Sequence, residues 1–177
     1  MIAPVRLAHT SLLHAAELSA ARALLYDVFD DMTEADWEHS IGGMHALVFD
    51  GSDLIAHGAV VMRRLVYQGR ALRTGYVEAM AVRADRRRQG HGAAVLSSLE
   101  QVIRGAYELG ALGASDEGVA FYRSRGWLPW QGPTFALTVN GVVRTPDEDD
   151  GIFVLPVTEQ LDRTAALTCD LRPGDAW

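Results

Sequence analysis

Arg87-Arg88-Gln89-Gly90-His91-Gly92 is the segment of this chain whose residue types are best arranged to hold a ligand. Its form is R-x-x-G-x-G. Two residues without side chains let the backbone approach a phosphate closely, and successive N–H groups point into the turn. Val95, Leu96, Leu99, Val102, Ile103 and Ala106 follow at helical spacing, so the turn opens a helix whose N-terminus adds partial positive charge. Arginines beside it can add charge-assisted contacts. Together these features suit a pyrophosphate. A glycine turn that merely opens a helix would read the same, so the surroundings have to decide. No Gly-Lys-Ser/Thr follows the glycines, which excludes a P-loop. They do not follow an early strand of a βαβ unit either, which excludes a Rossmann site.

Charge is unevenly spread. The net value is −7, which argues against nucleic acid or an anionic membrane as the main partner. Asp27, Asp30, Asp31, Glu34, Asp36 and Glu38 form one acidic segment, and Asp147-Glu148-Asp149-Asp150 forms a second. Arg83, Arg86, Arg87 and Arg88 make a basic block between them. One positive and two negative segments suggest a polyanionic ligand and a cationic one. An acidic run is ordinarily a solvated surface, so the acids alone name no substrate. The six histidines lack the short paired spacings of a zinc site, and no metal is expected. The single Cys169 excludes an intrachain disulfide and reads as a small buried hydrophobe. No run approaches the ~18–20 apolar residues of a membrane span, and Met1-Ile2-Ala3-Pro4 is not the start of a secretory signal. A cytoplasmic protein is expected.

The elements that must position these residues follow from periodicity. The 177-residue chain fits one domain, residues 1–177. Val5–Ala8 reads as a first strand and Leu13–Val28 as a first helix. Thr33-Glu34-Ala35-Asp36 resembles a capping box with Asp in place of Glu, opening a short helix to His39. His45–Phe49, Leu54–Tyr67 and Leu72–Val82 are strand-like, joined by turns at 50–53 and 68–70. A long helix over His91–Tyr107 follows the glycine turn, then a strand at Leu109–Ala114 and a helix at Asp116–Arg125 closed by Gly126. Thr134–Val139, Val142–Arg144 and Ile152–Val157 are final strands, and Leu161–Leu171 is ambiguous. The order implies an α+β fold, a mixed sheet with helices on both faces.

A strand, then R-x-x-G-x-G, then a helix, then Phe121-Tyr122 with Gly126-Trp127 resembles the GCN5-related N-acetyltransferase (GNAT) superfamily. Further blocks bring the chain closer to the aminoglycoside 2'-N-acetyltransferase family: Asp36-Trp37-Glu38-His39, Gly42-Gly43-Met44-His45, Gly75-Tyr76-Val77-Glu78, Gly126-Trp127-Leu128-Pro129-Trp130 and Gly174-Asp175-Ala176-Trp177. They run in order from about residue 5 to the last.

The resemblance implies the acyl-CoA N-acyltransferase fold, a mixed, mostly antiparallel twisted sheet splayed where it holds acetyl-CoA. It implies transfer of the acetyl group to the 2'-amine of an aminoglycoside, conferring antibiotic resistance. A homodimer is also implied. The pyrophosphate falls to Arg87, Arg88, Gln89, Gly90, His91 and Gly92, and the pantetheine arm to the backbone of Met80, Ala81 and Val82, with the Val82 N–H facing the thioester carbonyl. Glu78 is the candidate base, acting through water, or else an anchor for the substrate ammonium. Tyr122 is the candidate acid for the leaving thiolate. Asp31, Asp36, Asp147, Glu148 and Asp175 would pair with substrate ammonium groups, while Ala79, Gly113 and Ser115 would border the acceptor site. Many relatives carry a hydroxyl where Gly113 stands. The family uses its terminal Trp, here Trp177, as a substrate contact. Two other readings stay open: the same chemistry on a polyamine, cell-wall amine or peptide N-terminus, and a non-catalytic acyl-CoA-binding regulator.

Overall fold

Two-residue turns set the registers of the first hairpins. Residues 4–158 and 160–177 are described by a computed structural model. β1 (Val5–His9) pairs antiparallel with β2 (Met44–Asp50), and β2 pairs antiparallel with β3 (Asp53–Tyr67). Gly51 opens the β2–β3 turn with φ +63°, the left-handed conformation a tight hairpin demands at that place. A bulge at Val48/Phe49 shifts the register near the turn. Gln68 and Gly69, both left-handed, join β3 to β4 (Arg70–Val82).

Between β1 and β2 stand α1 (Ala15–Val28) and α2 (Glu34–His39). The helix expected from Leu13 begins two residues later. Thr10–Leu12 forms a 3-10 turn, and the His14 N–H bonds to the Glu17 carboxylate at 2.9 Å, fixing the start at Ala15. The capping box at Thr33 forms as expected.

The described residues fall into two compact units. The first comprises those up to Val61 together with Val77–Val102. Its core joins Ala21, Leu24 and Leu25 of α1 to Trp37, Leu47, Leu54 and Ala81. The second comprises Met62–Tyr76 and Ile103–Trp177. There β5 (Leu109–Gly113) pairs parallel with β4, Thr74–Tyr76 against Leu109–Ala111, and antiparallel with β9 (Ile152–Pro156). The strand order is β6-β9-β5-β4-β3-β10-β7-β8, with β6 at Leu128–Pro129, β7 at Thr134–Thr138, β8 at Gly141–Arg144 and β10 at Leu167–Cys169. Antiparallel pairs dominate; β10 with β7 is a second parallel pair. The fold is α+β.

α3 (His91–Ala106) carries the expected buried stripe of Val95, Leu96, Leu99 and Ile103. The expected helix at Asp116–Arg125 is shorter, α4 (Val119–Ser124), because Gly118 first closes a turn onto the Ser115 carbonyl at 2.8 Å. Gly126 is left-handed, as the cap requires. Two strands lay beyond periodicity: β6 (Leu128–Pro129), and β10 (Leu167–Cys169) inside the ambiguous stretch. Neither is long enough to display a period of two. No helix among the described residues is long and apolar enough to cross a membrane.

Candidate active site

In the first unit the site residues lie on one run of chain, from β4 through the glycine turn into α3. Glu78, Ala79 and Met80 are half-buried and Ala81 is buried. Ala79 breaks the strand: its φ is +54°, the left-handed region that costs an L-residue roughly 1–2 kcal/mol. The Met80 side chain packs away from solvent. A Cβ added at Gly58 would lie 2.9 Å from Met80 Sδ and 2.8 Å from Val95 Cγ1, so only glycine lets β3 approach so closely there.

The turn itself alternates in hand, with left-handed Arg88 (φ +60°) and Gly90 (φ +87°) separated by Gln89. Such alternation aims successive N–H groups into one concavity. The first helical bond runs from the Ala94 N–H to the Gly90 carbonyl at 3.0 Å, so the N–H groups of His91, Gly92 and Ala93 precede the ladder. His91 is buried, and its Nδ1 has no hydrogen-bond partner among the described residues. The basic block divides by task. Arg83 pairs with Asp85 and Arg86 with Asp50, at 2.7 and 2.6 Å, whereas Arg87 and Arg88 stay exposed at the turn. A nest of N–H groups, a helix N-terminus, two exposed guanidiniums and an orphaned buried nitrogen fit the pyrophosphate of a CoA.

The two acids expected in the first unit differ. Asp31 is exposed. Asp36 is committed to structure: its Oδ2 accepts from Thr33 N at 2.8 Å and from Thr33 Oγ1 at 2.7 Å. The α2 cap occupies Oδ2, which leaves less of its capacity for an ammonium group.

The second unit holds a different set of the expected residues. Tyr122 is buried, its ring set against Trp127 at 6.3 Å and Phe153 at 6.4 Å. Burial pushes its phenol up to about 12. Asp147, Glu148 and Asp175 are gathered: burial, then the charges of Asp175 and Asp147, raise the Glu148 carboxyl above its ordinary value, against the opposing pull of Arg172. Asp149, next in sequence, is bonded to the fold instead. It accepts from Thr134 N at 3.1 Å, Thr134 Oγ1 at 2.9 Å and the Arg144 guanidinium, and these bonds hold it down at about 2. Ser115 is exposed at the start of the turn before α4.

The tail is tied down by groups the sequence reading missed. Arg63 is buried; it donates to Asp170 Oδ1 at 2.8 Å and to the Ala176 carbonyl at 2.7 Å. Arg172 donates to Asp175 O at 2.6 Å and Trp177 O at 2.7 Å. Both guanidiniums lie over the Tyr76 ring, at 4.7 and 5.6 Å. Trp177 is buried, with Nε1 donating to Thr145 Oγ1 at 3.0 Å. A Cβ at Gly113 would sit 3.5 Å from Tyr76 Oη and 4.0 Å from Trp177 C, ordinary contact distances, so the position accepts a side chain without strain. Nothing in the spacing of Arg63 signals this clamp, since its partners Asp170 and Ala176 lie far along the chain, whereas Arg172 bonds its own terminal segment. Cys169 is buried as expected and donates weakly to Ala176 O.

Comparison with known proteins places the chain in a family. Residues 9–129 match the family model described as an acetyltransferase (GNAT) domain. The chain is 55% identical to an aminoglycoside 2'-N-acetyltransferase of Mycolicibacterium fortuitum, over 97% of this chain and 91% of that one. Among solved structures, a GNAT family N-acetyltransferase from Escherichia coli in complex with CoA superposes with a TM-score of 0.65 at 14% identity, covering 96% of this chain and 90% of that one. The ribosomal-protein-S18-alanine N-acetyltransferase of Escherichia coli gives 0.59 at 18% identity, covering 90% and 97%. At these identities the structures establish the fold alone.

Proposed function

Since the chain belongs to the GNAT acetyltransferases and, among them, to the aminoglycoside 2'-N-acetyltransferase family, we propose that it acetylates the 2'-amine of aminoglycosides and so confers resistance to them. Acetyl-CoA supplies the acetyl group as an activated thioester. The observation that carries the choice of acceptor is the gathering of Asp147, Glu148 and Asp175, whose mutual repulsion a polyammonium ligand relieves.

Each residue then has a task its chemistry allows. Arg87, Arg88 and the N–H groups from Gln89 to Gly92 hold the pyrophosphate; the backbone of Met80–Val82 holds the pantetheine arm, and the Val82 N–H stabilises charge on the thioester oxygen. An aminoglycoside amine is mostly ammonium at neutral pH and attacks only after losing a proton. Glu78 takes that proton through water, with Asp31, Asp147, Glu148 and Asp175 holding the neighbouring ammonium groups. Tyr122 keeps its own proton at neutral pH, since its phenol stands at about 12. A leaving thiolate whose thiol has an ordinary pKa near ~8.5 is too weak a base to take that proton outright, so Tyr122 serves by hydrogen-bonding the leaving sulfur. The protein works in the cytoplasm, as a homodimer.

One assay tests the regiochemistry. CoA release is measured with kanamycin B or gentamicin, which carry a 2'-amine, and with kanamycin A, which carries a hydroxyl there. Turnover with the first two alone is expected. Acetylation of all three overturns the 2' assignment, and acetylation of none overturns the substrate class. Glu78→Gln and Tyr122→Phe are expected to lower turnover more than acetyl-CoA affinity; full turnover in either removes that residue's role.

A further inference from the structure

A line of buried polar groups runs through the first unit to the kink beside Glu78. His45 on β2 and His57 on β3 are fully buried among apolar residues, two of the few polar side chains so placed. Thr10 Oγ1 lies 2.8 Å from His45 Nε2, His45 Nδ1 lies 2.9 Å from His57 Nε2, and His57 Nδ1 lies 2.9 Å from the carbonyl oxygen of Ala79.

The last partner fixes every proton in the line. A carbonyl only accepts, so His57 Nδ1 carries hydrogen. In a neutral ring its Nε2 is then an acceptor, which requires hydrogen on His45 Nδ1. His45 Nε2 must in turn accept, and the Thr10 hydroxyl donates to it. That hydroxyl has a second candidate acceptor, the Gly43 carbonyl at 3.2 Å, but Thr10 N already serves Gly43 O at 3.0 Å. The Gly42 N–H donates to Thr10 Oγ1 at 2.9 Å, anchoring the outer end. Burial lowers both imidazoles to about 4, with His9 reinforcing this at His45 and His45 reinforcing it at His57, so both rings are neutral. All donors point one way, toward Ala79. Ending on a carbonyl, the line cannot deliver a proton to a reacting group; what it delivers is orientation.

Ala79 is where orientation is needed. It is one of four left-handed non-glycine residues among those described, and the other three sit in turns or loops rather than inside a strand. Strain of this kind persists only where the surroundings over-determine the conformation. We propose that His57, backed by His45 and Thr10, is a positioning residue that holds the Ala79 peptide in its kinked conformation, and with it the Glu78 carboxylate and the backbone of Met80–Val82. The assignment rests on the reading of Glu78 as the group that meets the amine.

The unaltered protein provides the first test. Nitrogen NMR of histidine-labelled protein should show two of its six histidines as neutral Nδ1–H tautomers, unchanged between about pH 8 and 6, across the ordinary histidine pKa of about 6.5. Nε2–H tautomers, or titration of both rings in that range, overturn the proposal. The second test is His57→Phe against His57→Asn, the latter offering a side-chain N–H where Nδ1 stands. A misplacement of ~1 Å can cost about a hundredfold in rate, so His57→Phe should lower kcat at least about tenfold, with KM for both substrates within about twofold. His57→Asn should recover most of kcat. Wild-type turnover in His57→Phe, or equal loss in the two variants, overturns the assignment even if the tautomers are as expected. Glu78→Gln measured in parallel separates the readings: full turnover there removes Glu78's role, while the tautomers and the His57 pair still report on the kink.

Discussion

The glycine turn of the first unit and the acidic end of the second solve opposite problems with opposite materials. The turn, which we propose holds an anion, offers backbone N–H donors around left-handed Arg88 and Gly90 at the start of α3. The acidic end, proposed for cations, offers the carboxylates of Asp147, Glu148 and Asp175, and burial, then the charges of Asp175 and Asp147, push the Glu148 carboxyl up. A site made of backbone is indifferent to most side chains and sensitive to chain shape. A site made of side chains is the reverse. The difference follows from the peptide: it offers a strong donor at every residue but no full charge, so a polycation has to be met by acids.

That contrast can be broken most sharply at Gly90. A β-branched residue is a genuine outlier at a φ of +87°. Gly90→Val should therefore raise the KM for acetyl-CoA by about tenfold or more, the factor for each ~1.4 kcal/mol lost. Acetyl-CoA kinetics within twofold of wild type would mean the turn does not hold the pyrophosphate. Next in size, Asp175→Asn and Glu148→Gln should each raise the KM for the aminoglycoside about three- to tenfold, with the KM for acetyl-CoA unmoved, as for loss of one charge-assisted contact worth about 1–1.5 kcal/mol. An effect shared by both substrates would erase the distinction between the regions. Arg88→Ala should cost only about two- to threefold in acetyl-CoA affinity, since a surface ion pair is worth at most about 1 kcal/mol; a loss as large as that of Gly90→Val would show that side chains, not backbone, build the anion site.

The smallest effect separates Asp149 from its acidic neighbours. Bonds from Arg144 and Thr134 hold its carboxyl at about 2, below the ordinary ~3.9. A depressed carboxylate contributes stability that is present above its unfolded pKa and is lost as pH falls through the folded one. Asp149→Asn should therefore lower Tm by a few degrees at neutral pH, the difference shrinking between about pH 4 and 2 while aminoglycoside KM stays put. A raised aminoglycoside KM with no change in Tm would move Asp149 into the binding group.

Much of the fold was legible because it is local. The buried stripe of α3, the Gly51 hairpin, the Thr33 cap and left-handed Gly126 each follow from residues a few places apart. The Thr33 cap also held a warning about Asp36, since a carboxylate serving a helix N-terminus has less left for a ligand. Short strands carried no signal: Leu128–Pro129 and Leu167–Cys169 exist only because a neighbouring strand offers a ladder.

By itself the sequence determined the glycine turn and the helix it opens, because both lie in consecutive residues from Arg87. It also determined the supply of acids. Only the tertiary structure decided which acids are spent on the fold, setting Asp149 against Arg144 and leaving Asp147, Glu148 and Asp175 to one another. The histidine line belongs to the same class. His45 and His57 are twelve residues apart and appeared scattered; the β2–β3 register, which sets His45 opposite Ala59 and His57 opposite Leu47, puts both on one face. The Gly51 turn alone would put them on opposite faces; the bulge at Val48/Phe49 shifts the register by one residue, and residue type alone does not encode that shift.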